Sequence, residues 1–204
     1  MHPSRAFAWE DAGELRAFVA AMSFAQISAA IDGRVMTAQA PLAVCADGAI
    51  AFHLARANPL VPHLDGAELV AAVLGEHAYI SPDWYGTADQ VPTWNYRLVE
   101  ITGRARRLDE SALRPLLDTL SATHEARLAP KQPWTADKMD PARLAAMLKA
   151  IVGFAIDAPM LRGIQKLGQN KKPEERAGAV AALGQHAMAA LMTPPPSPLQ
   201  AEEK

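Results

Sequence analysis

The sequence predicts an α+β fold in which one antiparallel sheet curls into a closed or split barrel and helices flank it. Three observations carry that expectation. Two Asp-Gly pairs, Asp32-Gly33 and Asp47-Gly48, lie between strand-like runs, and Asp-Gly suits two-residue hairpins because both central positions need positive φ. No strand–Gly-rich-loop–helix unit occurs, which argues against a Rossmann or P-loop sheet. About six or seven strand candidates with helical insertions are best accommodated by closing the sheet on itself.

Taken in order, Asp11-Ala12-Gly13-Glu14 has capping-box spacing, and Leu15, Phe18, Val19 and Met22 follow at helical intervals. They predict a helix over about Ala12 to Met22. Phe24 to Ala55 reads as a meander of about four strands, with the turns carrying the inference because alanine favours strands poorly. Asn58-Pro59 and Pro62 then break regular structure. Glu68 to Leu74 and His77 to Ser81 form a strand pair, or one bent strand kinked at Gly75. A turn-rich loop runs from Pro82 to Pro92.

Thr93 to Leu108 is the longest strand candidate, with Trp94, Tyr96 and Leu98 on one face and Asn95, Arg97, Val99 and Ile101 on the other. Trp94 and Tyr96 are expected to pack, leaving Thr93 and Asn95 to present hydrogen-bonding groups. A helix follows over Ser111 to about Arg127. Asp140-Pro141 supplies an N-cap and an N1 proline for another, ending near Lys149. Gly153 to Asp157 and Leu161 to Leu167 read as strands, the second equally compatible with a helix by period alone, and a final helix runs from about Pro173 to Met192. One domain over 1–192 is expected, with a disordered Pro-rich tail over 193–204.

Of the 204 residues, 50% are hydrophobic and 21% charged, enough for a sizeable core. The formal net charge of −2 argues against a broadly basic nucleic-acid binder, so DNA is a partner the charge balance does not support. Cys45 is the single cysteine, which excludes an intrachain disulfide and any Cys-rich metal centre. The apolar runs fall well short of the roughly 20 residues a membrane helix needs. Arg5, Glu10, Asp11 and Glu14 interrupt any signal-peptide core. The expectation is a cytoplasmic protein with no metal site.

Four stretches carry more polar and aromatic chemistry than a plain barrel needs. His53 to Pro59 gathers an imidazole (His53), a guanidinium (Arg56) and an amide (Asn58) at a strand end, where an ordinary turn before Pro59 would also suffice. Tyr79 to Tyr85, with Ser81, can wall a pocket for a flat ligand or simply pin a loop by Trp84. Val91 to Tyr96 offers Thr93, Trp94 and Asn95, as a binding face or as cross-strand packing. Lys166 to Lys172, with Gln169, forms an anion site at a helix start or a plain basic loop. Together they carry what a phosphorylated flavin needs: cationic forks for the phosphate, as Arg56 and Lys166 could supply, and an aromatic wall for the ring.

These stretches, with Ile151-Val152-Gly153-Phe154, closely resemble the PaiB-type family of FMN-binding negative transcriptional regulators. The resemblance runs over His53-x-Ala55-x-x-Asn58-Pro59, Tyr79-Ile80-Ser81-x-x-Trp84-Tyr85, Val91-Pro92-Thr93-Trp94-Asn95-Tyr96 and Lys166-Leu167-x-Gln169-Asn170. It implies a split β-barrel like that of pyridoxamine-phosphate oxidase, with FMN as cofactor at a homodimer interface. The ligand candidates it carries over are His53, Arg56, Asn58, Tyr79, Ser81, Thr93, Trp94, Asn95, Lys166 and Gln169. Gln39 and Glu100 stand where the family often has His, and Gly168 replaces its usual Ser.

Other readings remain open from the sequence. The chain could be an FMN-dependent oxidoreductase without direct DNA binding, since the flavin itself does such chemistry. It could bind or degrade haem through a histidine such as His77. A cofactor-free dimeric interaction module is a further possibility. No residue stands out as catalytic.

Overall fold

The computed structural model describes residues 2–193. The tail expected to be disordered lies, from Pro194 onward, outside the described residues. The described chain divides into two compact units. One comprises the residues up to Glu10, Leu74–Leu98 and those from Gly163; the other comprises Asp11–Val73 and Val99–Arg162.

Eight strands form one antiparallel sheet: β1 (Ala8–Trp9), β2 (Phe24–Ile31), β3 (Arg34–Val44), β4 (Ile50–Ala55), β5 (Glu68–Ile80), β6 (Thr93–Arg107), β7 (Ile151–Ile156) and β8 (Met160–Lys166). Their order is β1-β8-β6-β5-β2-β3-β4-β7, and β7 pairs in turn with β6. Six strands thus close into a ring, the barrel the sequence predicts. Six helices occur among the described residues: α1 (Ala12–Met22), α2 (Val61–Leu64), α3 (Glu110–Ala126), α4 (Pro141–Lys149), α5 (Pro173–Leu183) and α6 (Ala187–Met192). None is long and apolar enough to cross a membrane.

Local signals account for most boundaries. The Asp11 carboxylate accepts the Glu14 N–H at 2.7 Å and starts α1, and Asp140 does the same for Arg143 at 2.8 Å ahead of Pro141. Asp32 and Gly33 both take positive φ, 49° and 75°, and join β2 to β3 in register from Ile31↔Arg34 to Phe24↔Pro41. The meander holds three strands rather than four, because two turns can separate only three. The second is not a two-residue turn: β3 and β4 meet at Val44↔Ile50, and Cys45 N–H donates to the Ala49 carbonyl at 2.8 Å across a longer loop. Glu68 to Ile80 is one continuous strand. The expected last helix is two: Gly184, at φ 58°, ends α5, and His186 Nδ1 accepts the Met188 N–H at 3.1 Å to begin α6.

In the second unit, alternate residues of each strand fill the ring. Ile27, Leu42, Ile50, Phe52, Val99, Ile101 and Phe154 are fully or almost fully buried, and the Phe52 and Phe154 rings stack 5.6 Å apart. The outer faces of β3, β4 and β7 present Ala43, Ala51 and Ala155 to Leu116 and Leu120 of α3. Small residues there let the helix approach closely.

The first unit has its own core of Ala78, Ile80, Tyr85, Leu167, Ala179, Met188 and Met192. Here α5 lies directly on the short 3-10 turn Pro82–Tyr85. A Cβ added at Gly178 would stand 2.2 Å from the Trp84 carbonyl oxygen. Backbone at such a distance cannot rotate away, so the close approach requires glycine. Gly178→Ala is expected to destabilise the protein by about 1–3 kcal/mol, the usual range for overpacking, as a lowered urea midpoint.

Candidate functional site

The carboxyl end of β8 and the start of β6, neighbouring strands, bring two of the sequence-predicted residues together. Lys166 Nζ donates to Thr93 Oγ1 at 2.5 Å and lies 5.8 Å from the centre of the Phe7 ring. Burial, and secondarily the charge of Lys171, push the Lys166 ammonium below its ordinary pKa. Among the described residues it makes no ion pair with a carboxylate. A partly desolvated cation with a hydroxyl beside it and no anion in contact is a site suited to an anion.

Beside β8 and β6, the outward face of β5 and β6 carries aromatic surface. Trp94 is 54% exposed and Tyr79 47%. Trp94 meets Tyr79 edge-on and His77 at a tilt, each pair of ring centres 6.1 Å apart. The two faces of β6 are therefore the reverse of the packing expected. Asn95 is on the buried side, 1% exposed, where its Nδ2 donates to Met192 Sδ at 3.3 Å and its Oδ1 has no partner among the described residues. Ser81 immediately precedes the 3-10 turn, and its carbonyl accepts the Trp84 N–H at 3.3 Å.

Gln169 is occupied with backbone. Its Oε1 accepts the Leu167 N–H at 2.7 Å, and its Nε2 donates to the carbonyls of Gln165 at 2.6 Å and Ala6 at 3.2 Å. It shapes the turn after β8. Gly168, within that turn, has φ 74°, a conformation that costs a side-chain-bearing residue about 1–2 kcal/mol. The departure from Ser at this position thus suits the backbone found there.

A neighbouring network escaped the sequence reading. Lys171 Nζ donates to Gln90 Oε1 at 2.5 Å and stands 4.5 Å over the Tyr85 ring. Gln90 Nε2 and Thr87 Oγ1 both donate to Glu175 Oε1, at 3.1 and 2.9 Å. The one available signal was Glu175 itself, three residues after Lys172 at a helix start, whose other oxygen accepts the Lys172 N–H at 3.1 Å.

Those bonds, the Lys172 N–H first and the Thr87 hydroxyl next, hold the Glu175 carboxyl below its ordinary value of 4.5. A depressed carboxylate contributes stability above its unfolded pKa and loses it as pH falls through the folded one. The protein should therefore lose stability below about pH 4.5, and Glu175→Gln should flatten that loss in thermal melts taken from pH 6 to pH 3.

The remaining three candidates belong to the second unit. Asn58 Oδ1 accepts the Leu60 N–H at 2.9 Å, the ordinary turn before Pro59. Arg56 directs Nε to the Lys149 carbonyl at 2.6 Å and Nη2 to that of Ile151 at 3.3 Å, with Glu110 Oε1 3.8 Å away. His53 pairs across the ladder with Gly153 of β7 and lines a cavity of about 280 Å³ with residues of α3 and α4. Burial pushes its imidazole below the ordinary pKa, and its buried Nδ1 has no hydrogen-bond partner among the described residues.

The ring of antiparallel strands with flanking helices is shared with solved structures of low sequence identity. The FAD- and haem-binding protein of Mycobacterium smegmatis superposes with a TM-score of 0.60 at 17% identity, over 87% of this chain and 80% of that one. The flavocytochrome Anf3 of Azotobacter vinelandii superposes with a TM-score of 0.59 at 18% identity, over 86% and 78%.

More specifically, residues 1–159 match the family described as "Putative FMN-binding domain". The chain is also 31% identical to the Bacillus subtilis protein "Protease synthase and sporulation protein PAI 2", over 84% of this chain and 83% of that protein. It belongs to this PaiB-type FMN-binding family, and FMN is the cofactor of the domain. The residues present fit such a cofactor: Lys166 and Thr93 offer the ammonium and hydroxyl donors a phosphate takes.

Proposed function

We propose that the protein is a flavin-holding regulator of the PaiB type, a homodimer with FMN at its subunit interface, whose output does not pass through direct contact with DNA. The single observation that carries the reading is the Lys166–Thr93 pair, a cation without a carboxylate partner among the described residues, in the same unit as the exposed Trp94 and Tyr79 rings. Lys166 and Thr93 bind the phosphate, and the Trp94–Tyr79 face, on the opposite side of β6, supplies apolar surface for a second copy. Bound FMN supplies a redox-active ring that accepts or donates a hydride. Gln169 holds the turn after β8 in the shape that presents Lys166.

The surface arginines support an output other than DNA contact. Arg106 grips Asp157 through two bonds of 2.6 and 2.7 Å, and Arg104 pairs with Glu68 at 3.1 Å. Their charge is largely offset, and the whole chain is formally acidic at −2. A phosphate-binding surface needs a surplus of unopposed cations.

Lys166→Ala and Thr93→Ala should each weaken FMN binding by about 1–3 kcal/mol, measured by quenching of flavin fluorescence as apo-protein is added. Unchanged affinity in both variants would remove the phosphate assignment. Light scattering should give a dimer mass that falls toward the monomer in Trp94→Ser. A salt-dependent, sequence-selective gel shift with promoter DNA would replace indirect regulation by direct repression, and NADH oxidation by the FMN-loaded protein would favour an oxidoreductase.

A further inference from the structure

Thr93 is the first residue of β6, so the chain that precedes it decides where its hydroxyl stands. Between the 3-10 turn that ends at Tyr85 and the start of β6 there is no regular structure. Among the described residues, no backbone–backbone hydrogen bond holds Thr87 to Pro92. The anchors of this loop are side chains. Thr87 Oγ1 and Gln90 Nε2 both donate to Glu175 Oε1, at 2.9 and 3.1 Å, and Lys171 Nζ donates to Gln90 Oε1 at 2.5 Å. Glu175 is itself fixed, being buried and bonded through its other oxygen to the Lys172 N–H. The loop is tied to the start of α5, within the same compact unit.

That tie lies beside the Lys166–Thr93 pair on both segments of chain. Gln90 stands three residues before Thr93, and Lys171 five after Lys166. The Thr93–Lys166 and Gln90–Lys171 bonds are therefore neighbouring rungs between the same two segments. The link between the rungs on the first segment is stiff: Val91 is held extended by the proline after it, and Pro92 has its φ fixed. On the second segment, the Lys171 N–H donates to the Gly168 carbonyl at 2.9 Å, and Gln169 Oε1 accepts the Leu167 N–H. A displacement of Gln90 is passed on to Thr93 instead of being absorbed on the way. An amide suits this place because it accepts from an ammonium and donates to a carboxylate at once, which neither a carboxylate nor an ammonium side chain can do.

We propose that Gln90 is a positioning residue for the flavin phosphate: held between Lys171 and Glu175, it sets the Thr93 hydroxyl beside Lys166 before the cofactor arrives. The proposal rests on the reading of Lys166 and Thr93 as the phosphate site. Gln90 acts through Thr93. Without its bonds the loop samples other arrangements, and the apparent affinity falls with the fraction of molecules that hold Thr93 in place.

Fluorescence titration of the apo-protein with FMN tests this in the wild type, Gln90→Met, Thr93→Ala and the double variant. Gln90→Met keeps the length of the side chain and removes both bonds. It should weaken FMN about fivefold on its own and less than about twofold beside Thr93→Ala, because the effect runs through that hydroxyl. Equal losses in the two backgrounds would mark a general structural role and overturn the proposal. Thr87→Val, at an exposed residue, removes one bond to Glu175 and should act in the same direction with the same dependence on Thr93, which keeps the test available should Gln90→Met fail to fold. Unchanged affinity in Gln90→Met, with Thr93→Ala weakened, would overturn the positioning role and leave the phosphate site standing. Unchanged affinity in both Thr93→Ala and Lys166→Ala would remove the phosphate site and the positioning role with it.

Discussion

The length of β6 is the constraint on which the rest depends. Its fifteen residues run from Thr93 to Arg107, and both compact units are built on it. The far end pairs Ala105, Arg106 and Arg107 with Ile156, Ala155 and Phe154, closing the ring. The near end supplies Thr93 to Lys166 and Trp94 to the aromatic face. A shorter strand could close a barrel or begin an anion site, but not both. Alternation along this one segment also fixes Asn95 inward and Trp94 outward.

What the sequence revealed about the fold was what neighbours along the chain decide. Asp32-Gly33 specifies its turn locally, and Asp140-Pro141 its helix start, so both were legible. Asp47-Gly48 looked the same and was not, because only Gly48 of that pair takes positive φ and the loop is closed by Cys45 and Ala49 instead. On β6 the alternation showed two faces but could not say which was inside; aromatic bulk favoured Trp94, whereas the core admitted Asn95 with a thioether for company.

Contacts far apart in sequence were invisible for the same reason. Arg56 carries an obvious charge, yet its partners are backbone carbonyls at Lys149 and Ile151, more than ninety residues on. Gln169 reaches Ala6 from the other end of the chain. Residue type announces what a side chain can bond, and only topology decides with what. Thr93 and Lys166, 73 residues apart, were each singled out as candidates, but their meeting rests on β8 lying beside β6, an order that no periodicity reveals.

The sheet's closure has a consequence for how copies of this protein can meet. With six strands in a ring, the open end of the strand order lies on the β8 side, where β1 already covers Gly163 and Ile164. The remaining template is a few residues long and flanked by Arg162 and Lys166, whose charges repel a like segment. Main-chain pairing between copies at that edge would have only this short stretch to build on.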